Sequence, residues 1–418
     1  MAEQVEPNPS ESGDPFDDFN RAQGAGTVRT PYPMFAELRA QGPVVKIKPS
    51  QFMGAQAPDV DESLLPDLYS AVSHDAVSEI LRDGKRFSSK GYALTMGPVM
   101  GHSILEMDEP EHSRYRGLIQ MAFSKKALER WEHELVGPVI HGLIDRFAER
   151  GHADLVRELT FPFPVSVIAG MIGLPKEDHD DFHRWAVELI SVGFDLQRGM
   201  AASQKLRDLF ARVLALRRED PQDDLMSVLA HSDLDGTVLD DEAIFAFLRL
   251  LAPAGAETTY RSSSNLLCGL FTYPNQLEAL RADRGLMDAA IEEGLRWECP
   301  LTGILRTASE ATEVCGVPLP AGAMIYINMG AANHDETRYE RAEEFDIFRP
   351  ARQHMAFAFG PHRCLGMHLA RMETRLVVNA VLDRLPNVRL DPSAEDVHIT
   401  GMIFRSPLSL PVVFDPTG

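Results

Sequence analysis

Apolar residues recur at steps of three and four along most of this chain, which is the period of one face of an α-helix. Short β-branched runs predict strands at 44–48, 68–72, 313–320 and 323–329, whereas residues 86–107 show no period and predict a loop. The pattern therefore predicts a mainly α-helical chain with a small β region. The helices are expected at 32–43, 74–84, 109–123, through most of 125–232, at 240–271, 286–298 and 365–385.

The chain shows no repeat and no convincing boundary between domains. Residues 1–29 are acidic and rich in turn-forming residues, so we expect a flexible N-terminal tail there. Residues 30–418 are then expected to form a single domain.

The composition predicts a protein with a large hydrophobic core and argues against nucleic-acid binding, a membrane span and secretion. Of the 418 residues, 44% are hydrophobic, which is enough for a large core, and the net charge of −21 argues against nucleic acid as a partner. The sequence holds no apolar run long enough for a membrane span, and its N-terminus lacks the apolar core of a secretion signal. Four cysteines without a C-x-x-C pair fit a reducing cytoplasm, so a cytoplasmic protein is expected.

One of the four cysteines lies in an unusual loop, FAFGPHRCLG, at residues 357–366. The helical pattern that follows places Cys364 at a helix N-terminus, where free N–H groups and the helix dipole favour thiolate over thiol. Gly360 and Gly366 would let the backbone approach a flat ligand. A buried structural cysteine is the alternative that the loop alone leaves open.

A second unusual stretch, APAGAETT at residues 252–259, lies within the long predicted helix. Pro253 removes a backbone hydrogen bond and Gly255 permits the helix to open, so a local groove is expected. Glu257 and Thr258 would lie beside that groove. Polar groups deep in an apolar helix require partners or a function, although a kinked core helix is also consistent with the pattern.

Charged residues at helical spacing form two further candidates. Glu293 and Arg296 lie three residues apart, and His112 and Arg116 lie four apart, so each pair shares a helix face. Taken singly, each of these residues, and Arg306 with them, would be an ordinary surface charge.

Together these motifs resemble the cytochromes P450. F-x-x-G-x-H-x-C-x-G resembles the haem-binding signature of that family, Ala-Gly-x-acid-Thr its oxygen-activation motif, and Glu-x-x-Arg its structural pair, all in family order. The resemblance spans about residues 30–415. It implies the cytochrome P450 fold, mainly α with a small β region, and a haem b cofactor between the long helix and the cysteine helix.

The resemblance also assigns roles to residues. Cys364 would be the axial ligand of the haem iron, and Thr258 and Glu257 would be catalytic groups that help to deliver protons. Glu293 and Arg296 would be structural. The cofactor-binding residues would be His112, Arg116, Arg306, His362, Cys364 and Gly366.

Two positions depart from the family pattern. Ala358 stands where the family usually has glycine or a small polar residue, and we expect the loop to bend differently there because alanine disfavours positive φ. The arginine of the family's P-x-R-F segment is absent from 342–345, and Arg349 is the expected substitute.

The implied activity is a haem–thiolate monooxygenase that oxidises an apolar small molecule with O₂. No reductase domain follows Cys364, so electrons are expected from a ferredoxin and a ferredoxin reductase, which would dock on Arg114, Arg363, Arg371 and Arg375. A peroxygenase that uses H₂O₂ is one alternative, and a non-catalytic haem-binding sensor is another. The apolar substrate pocket would be lined by Leu94, Met96, Val99, Ile190, Val192, Leu250, Leu251, Ala254, Leu301, Ile304, Leu305, Ile403 and Phe404.

Overall fold

The computed structural model describes residues 17, 20, 28–48, 67–190, 195–234 and 236–416. Helices account for most of these residues, as the sequence pattern predicted. Their bounds are α1 Tyr32–Gln41, α2 His74–Arg82, α3 Tyr92–Thr95, α4 Gly97–Met100, α5 Glu111–Ala122, α6 Lys125–Trp131, α7 Gly137–Ile144, α8 Pro162–Ile172, α9 His179–Ile190, α10 Leu196–Glu219, α11 Leu225–His231, α12 Asp241–Thr272, α13 Pro274–Ala282, α14 Met287–Trp297, α15 Met329–Asn333 and α16 Met367–Arg384.

Short strands form the small β region. In the described ranges, the largest sheet has five strands in the order β1-β2-β10-β7-β3, and a second sheet has the order β11-β14-β4. Three hairpins, β5–β6, β8–β9 and β12–β13, complete the set. The strand bounds are β1 Val44–Ile47, β2 Leu68–Ala71, β3 Phe87–Ser88, β4 His152–Asp154, β5 Asp233–Leu234, β6 Thr237–Val238, β7 Gly303–Ala308, β8 Thr312–Val314, β9 Val317–Leu319, β10 Met324–Asn328, β11 Arg389–Leu390, β12 Ile399–Thr400, β13 Ser406–Pro407 and β14 Pro411–Val413.

Helix α12 runs through the middle of the core. It has 32 residues, and its first turn is capped by Asp240, whose carboxylate accepts the N–H of Ala243 at 2.8 Å. It packs against α8, α9, α10, α14 and α16 and against strand β13. Because it is surrounded in this way, most of its side chains from Ile244 onward are buried.

The structure corrects one sequence prediction and bears on two others. Residues 86–107 are not one loop, since they contain β3, α3 and α4. Helix α12 is continuous through Pro253, so the proline does not end it, and a local groove there stays a prediction. Within the tail predicted at 1–29, Asp17 pairs with Arg157 and Asn20 is buried.

None of the described helices is long and apolar enough to cross a membrane.

The predicted pair on α14 is a buried ionic network. Arg296 binds both oxygens of Glu293, with Nε at 2.7 Å and Nη2 at 2.8 Å, and also donates to the carbonyl of Ala342 at 2.7 Å. Arg349 is the third member, since its Nε lies 3.3 Å from Glu293. The expected substitute for the missing family arginine therefore contacts the pair. This network ties α14 to the segment that precedes the cysteine loop.

Replacing Glu293 by Gln should leave two buried guanidinium groups without a counter-charge, and removing one partner of a buried pair typically costs about 3–5 kcal/mol. Glu278→Gln is the matched control, because Glu278 also pairs with an arginine three residues later but is exposed. That variant should lose at most about 1 kcal/mol. Denaturant unfolding measures both, and equal losses would contradict the structural role of Glu293.

Candidate functional site

The loop before α16 is held by its own backbone. Cys364 N–H donates to the carbonyl of Phe357 at 2.9 Å, and Arg363 N–H donates to Gly360 at 3.1 Å. Gly360 has φ +71°, and a Cβ on it would lie 2.1 Å from the carbonyl oxygen of Leu81 in α2. Only glycine therefore fits at this position.

Ala358 takes the same left-handed backbone region as a glycine would, with φ 54°. The expectation that alanine changes the course of the loop there is therefore not supported. The backbone of Ala358 is therefore strained, because a residue with a Cβ in the left-handed region is destabilised by roughly 1–2 kcal/mol.

The Cys364 thiol is solvent-accessible although it lies deep among protein atoms. Burial raises its pKa, and the N–H of Gly366 and the charges of Arg116, Arg371 and Arg363 oppose that rise only in part. That the loop presents a thiolate stays a prediction. Coordination to a metal ion would remove the proton of the thiol, because a coordinated thiol is deprotonated outright.

One face of α12 is open although the rest of the helix is buried. Ala254 is exposed, and Leu250, Leu251 and Thr258 are half-buried. Positions 250, 254 and 258 are one turn apart, so they share a face. Helix α12 packs against α16 just beyond this face, where Thr259 Oγ1 lies 3.4 Å from Glu373 Oε2. Thr258 lies on α12 and Cys364 lies just before α16, so both belong to elements that pack against each other. We call the space beside the open face of α12 the gap.

The two polar residues predicted on α12 do not lie together. The Thr258 hydroxyl is on the open face and donates to the carbonyl of Ala254 at 2.7 Å. Glu257 is only 4% exposed and pairs with Arg261 at 3.0 Å. Burial raises the pKa of Glu257, and Arg261 offsets part of that rise. The structure thus places only Thr258 on the gap.

Four cationic or basic side chains predicted as cofactor contacts come together beside the loop. The rings of His112 and His362 stack at 3.9 Å, and Arg116 Nη2 donates to the carbonyl of Arg363. Arg306 faces them from β7, where the register pairs it with Ile325. Burial, and after it the charges of the neighbouring Arg306, His112 and Arg116, lower the pKa of His362 to about 3. The cluster therefore repels additional positive charge.

This cluster fits a ligand with carboxylates. Arg306 is 6% exposed, and neither it nor Arg116 has a carboxylate within 4.0 Å among the described residues. His112 Nε2 is buried and has no hydrogen-bond partner in the described part of the chain. Buried guanidinium groups need anions, and the two propionates of a haem supply them. Gly366 adds room beside Cys364, since a Cβ on it would meet nothing within 4 Å.

Two neighbours of the cluster escaped the sequence analysis. Ser89 Oγ lies 3.2 Å from His362 Nε2, and the Tyr92 hydroxyl accepts the N–H of Leu305 at 2.9 Å. Tyr92 also acts electrostatically on Arg306. Both residues lie in the stretch that was predicted to be a loop, and their single polar groups carry no spacing that could have identified them.

Most of the predicted pocket residues are half-buried, as expected for the wall of an internal gap. They are Met96, Leu250, Leu251, Leu301, Ile304, Leu305, Ile403 and Phe404, with Ala254 exposed. The backbone joins two of these segments, because Thr302 N–H donates to the carbonyl of Ile403 at 2.8 Å.

Two further pocket predictions concern Leu94 and Val99, of which only that for Val99 is contradicted. Leu94 is 86% exposed, so its place in the pocket stays a prediction. Val99 is fully buried in the core, where its carbonyl accepts the Ser203 hydroxyl. Val192 and the side chain of Ile190 lie outside the described residues.

Comparisons with known proteins show which family the chain resembles. The sequence model of the family described as Cytochrome P450 matches residues 195–400. The chain is 37% identical to a steroid C26-monooxygenase of Mycolicibacterium smegmatis, over 84% of this chain and 88% of that protein. It is 32% identical to the cytochrome P450 monooxygenase PikC of Streptomyces venezuelae, over 94% and 92%. The crystal structure of CYP109E1 from Bacillus megaterium in complex with testosterone aligns with a TM-score of 0.82 at 30% identity, over 92% of this chain and 99% of that one.

Ala358→Gly should stabilise the protein, because glycine adopts φ 54° without strain. The gain is about 0.5–1 kcal/mol once the greater flexibility of glycine in the unfolded chain is subtracted. Ala356→Gly is the control, since Ala356 lies in the same loop without a positive φ and should lose stability. Thermal or denaturant unfolding of both variants measures the difference. Destabilisation of the same size in both would mean that Ala358 is not strained.

Proposed function

Because the chain belongs to the cytochrome P450 family of haem-dependent monooxygenases, we propose that it hydroxylates an apolar small molecule with O₂ and two electrons from a ferredoxin and its reductase. One observation supports this most: α12 keeps one face, with Ala254 and Thr258, open while most of its other residues from Ile244 onward are buried, and it packs against the helix that follows Cys364. A chain that only bound haem would not require a hydroxyl on that face.

The chain's own residues would hold haem b from three sides. Cys364 would ligate the iron, Arg116, Arg306, His112 and His362 would bind the propionates, and Gly366 would leave room for the ring. When bound, the haem supplies O₂ activation and C–H oxidation, and cysteine ligation favours O–O cleavage. The work left to the protein is to position the substrate, exclude water and move protons.

Thr258 is the group placed to move protons on the open face. Its hydroxyl is held by the Ala254 carbonyl at 2.7 Å, so its oxygen keeps a lone pair for a water or for oxygen in the gap. Proton delivery by a positioned group contributes about 10²–10⁴-fold in rate. Glu257, buried one residue earlier, would be the source of those protons rather than a second group in the gap.

The substrate is expected to be apolar, because the half-buried wall residues are aliphatic or aromatic apart from Thr258. The named substrates of relatives make steroids the first class to test, since one relative is a steroid C26-monooxygenase and a similar structure holds testosterone. A macrolide or terpenoid would suit the same lining. A spectral titration of the haem-loaded protein with a panel of these classes would rank them.

The electron donor would dock near the cysteine loop, but the structure changes the expected patch. Arg371 binds Glu292 through Nε at 2.6 Å, and Arg375 binds Glu132 at 3.1 Å, so both charges are neutralised. Burial opposes ionisation of Glu292, but hydrogen bonds from Arg371 and His354 outweigh it and lower its pKa to about 2. Arg114 and Arg363 are exposed and remain candidates. Reduction by a ferredoxin should then slow as salt rises.

Cys364→Ser should abolish thiolate ligation. The reduced carbon monoxide complex of the parent should show the red-shifted absorption band of a thiolate-bound haem, and the variant should not. Cys315→Ala is the control, because Cys315 is an exposed cysteine on the turn between β8 and β9 and should leave the band unchanged. A red-shifted band that persists in Cys364→Ser would overturn the ligand assignment.

Thr258→Ala should uncouple electron use from hydroxylation. NADH should still be consumed through a competent ferredoxin pair, but more of it should appear as H₂O₂ and less as product. Thr259→Ala is the matched control, since the neighbouring hydroxyl contacts Glu373 in the interface with α16. The measurement is the ratio of product formed to NADH consumed. Equal ratios in the parent and in Thr258→Ala would exclude a role of Thr258 in proton delivery. Parent turnover that is much faster with H₂O₂ than with NADH would instead favour a peroxygenase.

A further inference from the structure

Helix α12 carries a buried arginine that the proposed mechanism does not use. Arg261 is 1% exposed and lies one turn after Glu257. Its Nε and Nη2 donate to Glu257 Oε2 at 3.1 and 3.0 Å. Both contacts are to one oxygen, so Arg261 constrains the carboxylate without binding Oε1.

Two residues from distant parts of the chain hold this arginine. Nη2 also donates to Asn20 Oδ1 at 3.0 Å, and Nη1 donates to Ser406 Oγ at 2.9 Å. Asn20 is 3% exposed and comes from the N-terminal segment, whereas Ser406 begins β13. A buried guanidinium has five N–H groups to satisfy, so these acceptors fix its plane and its position.

The network borders the wall of the substrate gap. The guanidinium lies 5.3 Å from the ring centre of Phe404, one of the half-buried wall residues between β12 and β13. Glu257 is bonded in sequence to Thr258, whose hydroxyl faces the gap. A shift of Arg261 would therefore move the carboxylate of Glu257, the residue that precedes Thr258 in the sequence.

We propose that Arg261 is a positioning residue that holds the Glu257 carboxylate for proton delivery towards Thr258, and that Asn20 and Ser406 fix Arg261 for this task. The proposal rests on the monooxygenase function proposed above. It also gives the N-terminal segment a part in the reaction through Asn20. An ion pair that only stabilises the fold would also shift the pKa of Glu257, but its loss would not divert electrons from product to H₂O₂.

The electrostatics around Glu257 give the sign of the expected effect. Burial raises the pKa of Glu257, and the charge and hydrogen bonds of Arg261 lower it. Tyr260 is the other titratable neighbour among the described residues, and burial raises its own pKa so that it stays neutral. Removing the charge of Arg261 must therefore raise the pKa of Glu257 further and keep it protonated to higher pH.

Infrared difference spectroscopy on the haem-loaded protein tests this without turnover. The carboxylic acid band that is lost in Glu257→Gln belongs to Glu257, and its intensity is followed against pH in parent, Arg261→Gln and Asn20→Leu. The band should persist to higher pH in Arg261→Gln. It should persist to a smaller extent in Asn20→Leu, where the arginine keeps its charge but loses an anchor. Arg249→Gln is the control, because Arg249 is a second buried arginine of α12 that binds Ser203.

Turnover provides the second measurement. Product formation should fall about tenfold in Arg261→Gln, the scale of one charge-assisted hydrogen bond, and H₂O₂ release should rise. An unchanged band midpoint in Arg261→Gln, or an equal change in Arg249→Gln, would overturn the proposal for Arg261, and an unchanged midpoint in Asn20→Leu would overturn the part assigned to Asn20. A parent that never hydroxylates would refute the proposed function but leave the infrared result intact.

Discussion

The structure depends on one constraint: a 32-residue helix crosses the core, so the polar side chains on it need a partner or an opening, and among the described residues the buried Ser263 hydroxyl has neither. Arg249 donates to the hydroxyl of Ser203, and the Thr259 hydroxyl donates to Glu373. Asn265 donates to the carbonyls of Glu298 and Arg405. Each of these contacts joins α12 to a different neighbour. Thr258 is the exception among them, because its side of the helix faces a gap.

In the predicted cofactor site, by contrast, positively charged and basic groups lie close to one another. Arg116, Arg306 and the two stacked histidines lie together, and their charges oppose one another. Among the described residues only His112 of these four has a carboxylate partner, Glu109 at 3.1 Å. Such an arrangement is unfavourable in the chain alone and becomes favourable when a dianionic ligand enters. The Cys364 thiol shows the same dependence, since burial opposes its ionisation until a metal takes the proton's place. We infer that haem binding contributes directly to the stability of this region.

The sequence predicted what local spacing encodes. The periodicity of α12, the Cys364 loop and the Glu293–Arg296 pair could all be identified, because their residues are close in the chain. Long-range partners could not. Arg371 and Arg375 were expected to face a partner, but Glu292 and Glu132 neutralise them from other helices. Arg261 was overlooked because an i, i+4 pair is common on helix surfaces, and Asn20, its partner across the fold, lies in a segment whose composition predicted a flexible tail.

Two buried carboxyls flank α12, and their surroundings assign them different states. Glu373 has a hydroxyl from Thr259 as its hydrogen-bond partner, and burial raises its pKa to about 8, so it is mostly neutral at pH 7. Glu257 has the full charge of Arg261 beside it, which offsets part of the effect of burial. A mostly neutral Glu373 therefore joins α12 to the cysteine helix α16 without adding a full negative charge to their interface. Glu257 instead faces a full positive charge, so the two carboxyls differ in what opposes the effect of burial on the pKa: a guanidinium for Glu257 and one hydroxyl for Glu373.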